Sequence, residues 1–202
     1  MNSNYLDRIN EDYEKMKRVS SKVIDEFDRG YIGKKTIEHT LADGSVMIVD
    51  QIRKNKGNGD AAVIVPITEE NNFVMVVQSR PNTGVGVCVE FPAGMVDSGE
   101  EHLEAAKREL MEETGYDCAD IYELEAHYQD QGCSSAIIRT YVATGCKKVS
   151  EQSLDSDEHI DFIELSYDTV LDMILSSDVN KVGINDAGSK LAFMNYVLKN
   201  DK

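Results

Sequence analysis

The chain has 202 residues, 41% of them hydrophobic, with 21 basic and 37 acidic side chains and a formal net charge of −16. That length suits one substantial domain with an accessory segment. The charge excludes nucleic-acid binding through a broad basic surface, yet leaves room for an anionic small substrate where cations invert the local field.

The opening MNSNYLDRINEDYEKMKRV is polar and charged, which argues against a secretory leader. No apolar run of roughly 18 residues is present, so no membrane span is expected. Residues 3–28 read as one charged amphipathic helix, with Tyr5, Leu6, Ile9, Tyr13, Met16, Val19, Val23 and Phe27 at helical spacing. Gly30 and Gly33 break it. Residues 36–41 and 45–53 read as a β-hairpin around Asp43-Gly44, a strong turn signal. A polar loop follows at 54–60.

Residues 61–67 (AAVIVPI) and 73–78 (FVMVVQ) are buried-strand runs on either side of a polar turn at 69–72, and 85–91 alternates. Residues 101–114 favour helix through Glu, Leu, Ala, Lys, Arg and Met, with Gly115 as a C-terminal stop. Strands are expected at 121–128, 136–143 and 161–165, and helices at 167–176 and 187–199. This order describes a mixed α+β fold without internal repeats. Cys88, Cys118, Cys133 and Cys146 form no CxxC pair, so zinc-finger and redox motifs are unsupported. They read as small, partly buried thiols in a reducing, cytoplasmic compartment.

The helix at 101–114 carries the chemistry. Glu109 lies i,i+3 from Glu112 and i,i+4 from Glu113, so all three project to one side. Like charges at that spacing destabilise a helix by a few tenths of a kcal/mol per pair. A hard divalent cation such as Mg²⁺ or Mn²⁺ is the natural compensation, since the donors are all oxygen. Leu103, Ala106 and Leu110 are spaced to pack the opposite face into a core. Arg108 can pair with Glu100 or Glu112, and Gly94 and Gly99 let the preceding loop bend. An acidic run of this kind is more often a plain solvated helix face. The full spacing argues otherwise.

Residues 94–116, GMVDSGEEHLEAAKRELMEETGY, match the pattern G-x5-E-x7-R-E-U-x-E-E-x-G-U, where U is bulky and apolar. The segment resembles the Nudix box of the Nudix hydrolases at every defining position. Chance would produce the match in a given window about once in 10^8. The resemblance implies a Nudix α/β/α sandwich with a mixed sheet at residues 56–202. Residues 1–55 would then be a helix-and-hairpin extension of the kind that helps build a homodimer.

The approach to the box, VVQSRPNTGVGVCVEFPAG from Val76, is similar to the ADP-ribose and ADP-sugar pyrophosphatase branch, with Gln78, Arg80, Glu90, Pro92, Ala93 and Gly94 matching in type. By that resemblance the Ala93 carbonyl, Glu109 and Glu113 hold Mg²⁺ or Mn²⁺, with Glu112 close by as a catalytic residue. Arg80 contacts the diphosphate or terminal ribose, or is a surface arginine. Glu90 meets a substrate hydroxyl or neighbours the metal ligands, or is a plain strand-end carboxylate. The water-activating base is Glu158, with Asp155, Asp157 and Asp161 as competitors and His159 adjacent. At 128–134 the branch's usual proline is replaced by Gln131, and with no tryptophan any adenine stacking falls to Tyr or Phe.

The implied substrate is a nucleoside diphosphate linked to another moiety, ADP-ribose or an ADP-sugar first. GDP-mannose, another nucleotide sugar, a dinucleotide or an oxidised nucleotide is the alternative. A nucleotide-sensing module without catalysis is the third reading, although such modules typically lose the box carboxylates retained here.

Overall fold

The computed structural model describes residues 3–28, 30–54, 58–156 and 158–200. The side chains of Tyr5 and Leu6, and all of Asp157, lie outside the described part. The chain divides into two compact units, residues 1–59 with 128–136, and residues 60–127 with 137–202.

The first unit holds α1 (Ser3–Met16) and three strands, β1 (Arg18–Asp28), β2 (Ile32–Leu41) and β3 (Val46–Lys54). They form an antiparallel sheet in the order β1-β2-β3. The helix expected over 3–28 therefore ends at Met16, and its second half is a strand. Val19, Val23 and Phe27 recur every four residues, a spacing that fits a period of 3.6 and a period of 2 alike. The β-branched Val19, Val23 and Ile24 favour the extended form, and register-matched pairing to β2 from Arg18↔Leu41 to Asp28↔Gly33 decides it. The expected turn sits between β2 and β3, where Gly44 takes φ 86°. Segment 128–136 belongs to the same unit, with the Ile52 N–H donating to the Cys133 carbonyl at 2.7 Å.

The second unit contains β4 (Ala61–Thr68), β5 (Phe73–Arg80), β6 (Gly86–Glu90), β7 (Ala93–Met95), α2 (His102–Thr114), β8 (Tyr116–Asp117), β9 (Asp120–Tyr128), β10 (Ile137–Lys148), β11 (Ile160–Leu165), α3 (Tyr167–Leu175) and α4 (Ala187–Asn200). Its sheet runs β11-β5-β4-β10-β8, with β6 on β5, β7 on β4 and β9 on β10. β4 pairs in parallel with β10 but antiparallel with β5 and β7, and β5 pairs antiparallel with β6 and β11, so the sheet is mixed.

β4 separates the two cores by its period of two. Ala62 and Ile64 pack with Ala105, Ala106 and Leu110 of α2. Val63, Val65 and Ile67 pack with Val170 of α3 and Ala192 and Phe193 of α4. Helices thus cover both faces, the expected α/β/α sandwich. Phe73 joins Phe91, Phe193 and Tyr196 edge-to-face, with centroids 5.6–5.9 Å apart.

All four cysteines are free: Cys88 and Cys146 are buried, Cys118 and Cys133 partly so. Among the described residues no helix is long and apolar enough to cross a membrane.

Candidate active site

The site grows from the end of α2. Ala105, Ala106 and Leu110 anchor the helix in the core, and Gly115 ends it with φ 74°, its N–H donating to Met111 O at 2.8 Å. Glu109 and Glu113 stand on the side of α2 that meets β7. They are 8% and 2% exposed, much deeper than surface carboxylates normally lie. Glu113 Oε2 accepts the Ala93 N–H at 3.0 Å. Glu109 lies against Gly94 so closely that a Cβ there would stand 2.0 Å from Oε1. The Ala93 backbone is thus at the carboxylates, with its N–H committed to Glu113.

Arg108 organises the other side. It donates to both oxygens of Glu100 at 2.9 Å, to Met95 O at 3.0 Å, to Glu109 Oε1 at 2.7 Å and to Glu112 Oε2 at 3.0 Å. It therefore pairs with Glu100 and Glu112 together, and with Glu109 as well. Glu100 in turn accepts the Asp97 N–H at 2.9 Å, which pins the loop before the helix. The Arg108 hydrogen bonds hold the Glu100 carboxyl below the usual range.

One guanidinium does not neutralise this much acid. Burial pushes Glu113 up to about 8, helped by the charges of Glu109 and Glu158 and opposed by the Ala93 N–H. Burial likewise raises Glu109 against the pull of Arg108. Two buried carboxylates beside further acids form an oxygen-only donor set with excess negative charge, which suits a hard divalent cation. The chain itself does not pre-assemble a compact cage: among the described residues no three His, Cys, Asp or Glu side chains converge as a metal-binding group.

Glu158 sits on the loop between β10 and β11. Its Oε2 accepts the Asp155 N–H at 2.9 Å, and its N–H donates to Asp155 O at 3.0 Å. Its charge adds to the rise of both Glu109 and Glu113. Asp155 and Asp161 are exposed.

Arg80 and Glu90 are brought together by the β5–β6 pairing. Arg80 Nε meets Glu90 Oε1 at 2.9 Å and Nη2 meets Oε2 at 2.6 Å, a two-pronged fork. Glu90 is buried and raises the Arg80 pKa, with Glu113 and Asp186 adding to the effect. The two residues read separately from the sequence are one unit in the fold.

Asp186 was missed. It precedes α4, accepts the Ser189 N–H through Oδ1 at 2.6 Å, and leaves Oδ2 buried without a partner. Burial raises its pKa, with Glu90 contributing. Ser189 Oγ accepts the Phe91 N–H at 2.9 Å, next to Glu90. The signal was present: an aspartate immediately before a helix, accepting the N–H three residues on, is an N-cap pattern. Gln131 lies in the other unit, lining a cavity of about 420 Å³ with Arg18, Ser21, His39 and Ser134. There Ser21 Oγ and His39 Nδ1 are 2.7 Å apart.

Residues 57–181 match the NUDIX domain family, and the chain belongs to it. Among curated relatives, the methanol dehydrogenase activator of Bacillus methanolicus is 42% identical over 115 residues, 56% of this chain and 62% of that protein. The ADP-ribose pyrophosphatase of Bacillus subtilis (strain 168) is 32% identical over 120 residues, 59% of this chain and 64% of that protein. The chain thus spans a little under two thirds of those two relatives. A GDP-mannose pyrophosphatase of Klebsiella pneumoniae is 27% identical over 151 residues, covering 71% of this chain and 75% of that protein. The crystal structure of an ADP compounds hydrolase has the same fold, with a TM-score of 0.73, 19% identity, and 93% and 95% of the two chains covered.

Proposed function

We propose that the chain hydrolyses the diphosphate bridge of a nucleoside diphosphate linked to another moiety, with ADP-ribose or a related ADP-sugar as substrate. The observation that carries this reading is the buried Glu109–Glu113 pair against β7, which Arg108 and the Ala93 N–H compensate only in part. The Glu109 and Glu113 carboxylates, with the Ala93 carbonyl, would hold Mg²⁺ or Mn²⁺, and Glu112 lies beside them. Bound there, the cation supplies neutralisation of phosphate oxygens and a lowered pKa for the attacking water.

The chain's own groups do the rest. Glu158 accepts the proton of the attacking water as its oxygen bonds to phosphorus and the bridging P–O bond breaks. Arg80, oriented by Glu90, presents its remaining N–H groups to the diphosphate or terminal ribose. ADP-ribose and water would give AMP and ribose 5-phosphate. The measurement is Mg²⁺-dependent AMP release by the unaltered chain, Glu113→Gln and Glu158→Gln. Losses of about 10²-fold or more are expected, and full activity in both variants sinks the assignment.

A second reading keeps the chemistry and changes the sugar. Gln131 replaces the proline of the ADP-ribose branch, and GDP-mannose pyrophosphatases align over 71–80% of this chain. Side-by-side kcat/KM values for ADP-ribose, GDP-mannose, a dinucleotide and an oxidised nucleotide discriminate. A sensor without turnover is disfavoured by the complete carboxylate set.

The first unit, residues 1–55 in the sequence reading, is proposed as a homodimerisation segment. Ile9, Tyr13, Val23 and Phe27 are 61%, 60%, 47% and 50% exposed, and such apolar exposure marks an interaction surface. Light scattering of the full chain against one lacking residues 1–30 tests it: an unchanged mass per particle refutes the role. Four free thiols fit a reducing, cytoplasmic setting.

A further inference from the structure

An α-helix leaves its last carbonyls without intrahelical partners. At the end of α2 a single stretch of chain, 149–153, supplies many of the donors. Val149 N–H and Ser150 N–H donate to Gly115 O at 2.9 and 3.1 Å, and Ser153 N–H donates to Glu112 O at 2.9 Å. The Gln152 side-chain amide donates to Glu113 O at 2.6 Å. The same Nε2 reaches Ile160 O at 3.3 Å, at the start of β11. The far end of the loop is fixed to β5 by Ser79 N–H donating to His159 O at 3.1 Å.

The segment that carries Glu158 is therefore also the C-terminal cap of the helix that carries Glu109, Glu112 and Glu113. Among the described residues of this segment, Gln152 is the side chain that bonds to both ends of the arrangement, α2 on one side and β11 on the other. It is partly buried and does not itself face the reacting groups as a donor, because its amide is taken up by backbone carbonyls.

We propose that Gln152 is a positioning residue that sets where Glu158 stands relative to the α2 carboxylates; this rests on reading Glu158 as the base. The bond to Glu113 O fixes the loop's entry against the metal-ligating turn, and the bond to Ile160 O fixes its exit. Without them the loop keeps its backbone anchors at Ser153 and His159 but loses the tie across its neck. A base displaced by an ångström costs rate out of proportion to stability.

The test is a double-mutant cycle on Mg²⁺-dependent hydrolysis of ADP-ribose, using Gln152→Ala, Glu158→Gln and the pair, with thermal melts confirming folding. A residue acting through Glu158 costs activity only while Glu158 is present. Gln152→Ala should lower kcat about tenfold with KM within twofold, and should cost nothing further in the Glu158→Gln background. Amide exchange of residues 153–159 should quicken in Gln152→Ala, and Gln152→Glu, which keeps the length but loses the amide donor, should behave like Gln152→Ala. Independent losses that multiply in the pair, with Glu158→Gln impaired, overturn the role of Gln152 and leave the base intact. Full activity of Glu158→Gln overturns the base reading and this proposal with it.

Discussion

Gly94 and Glu109 share a contact that only glycine permits: a methyl group at position 94 would stand 2.0 Å from both Cδ and Oε1 of Glu109. The obstruction is the far end of a side chain, so Glu109 would swing rather than the backbone. Gly94→Ala should therefore keep its melting temperature within a few degrees and lose roughly 10²-fold in activity, together with tight Mg²⁺ binding. Calorimetric titration with Mg²⁺ beside a thermal melt checks the separation of the two effects.

Gly115 presents the opposite case. Its φ of 74° is costly for a residue with a Cβ, and that Cβ would meet the backbone oxygen of Ser150 at 2.1 Å. Gly115→Ala should cost at least about 2 kcal/mol, seen as a fall of roughly 4–8 °C in melting temperature.

Glu113 makes stability depend on pH. Its carboxyl is pushed up to about 8 in the folded chain from 4.5, so between those values the folded state binds a proton that the unfolded state has released. Stability of the metal-free chain falls as pH rises through that window, by up to about 1.4 kcal/mol per unit. Mg²⁺ favours the ionised form and should flatten the slope. Urea denaturation at pH 5, 6.5 and 8, with chelator and with Mg²⁺, measures it, and Glu113→Gln should remove the difference.

Arg80 and Glu90 are coupled more tightly than a surface pair. The Glu90 side chain is 9% exposed against 42% for Arg80, so removing the arginine strands a buried carboxylate near Asp186. Arg80→Ala should cost about 2–4 kcal/mol of stability as well as substrate affinity. Arg80→Ala with Glu90→Ala should recover part of the stability and none of the affinity, by denaturation and KM respectively.

Helix α2 was legible because its signals agree: propensity, an apolar face and a terminal glycine all indicate one element from His102 to Thr114. The strand at 61–67 was legible because burial on both faces leaves a continuous apolar run. Val19, Val23 and Phe27 misled because four-residue spacing serves helix and strand equally, and only pairing with β2 breaks the tie. Gly94 reads as part of the loop before the helix, since a three-residue strand carries no period; Ala93–Met95 becomes a strand by lying against Ala61–Val63 of β4. The Arg80–Glu90 fork and the influence of the Glu158 charge on Glu113 depend on strand pairing and loop return, which link residues 10 and 45 positions apart.

The distribution of the thiols gives the molecule two natural attachment points. Cys88 and Cys146 are shut away in the core, while Cys118 in the second unit and Cys133 in the first remain partly open. A maleimide reagent would thus reach one thiol in each unit, Cys133 in the first and Cys118 in the second, ahead of the two core cysteines and without any engineered cysteine.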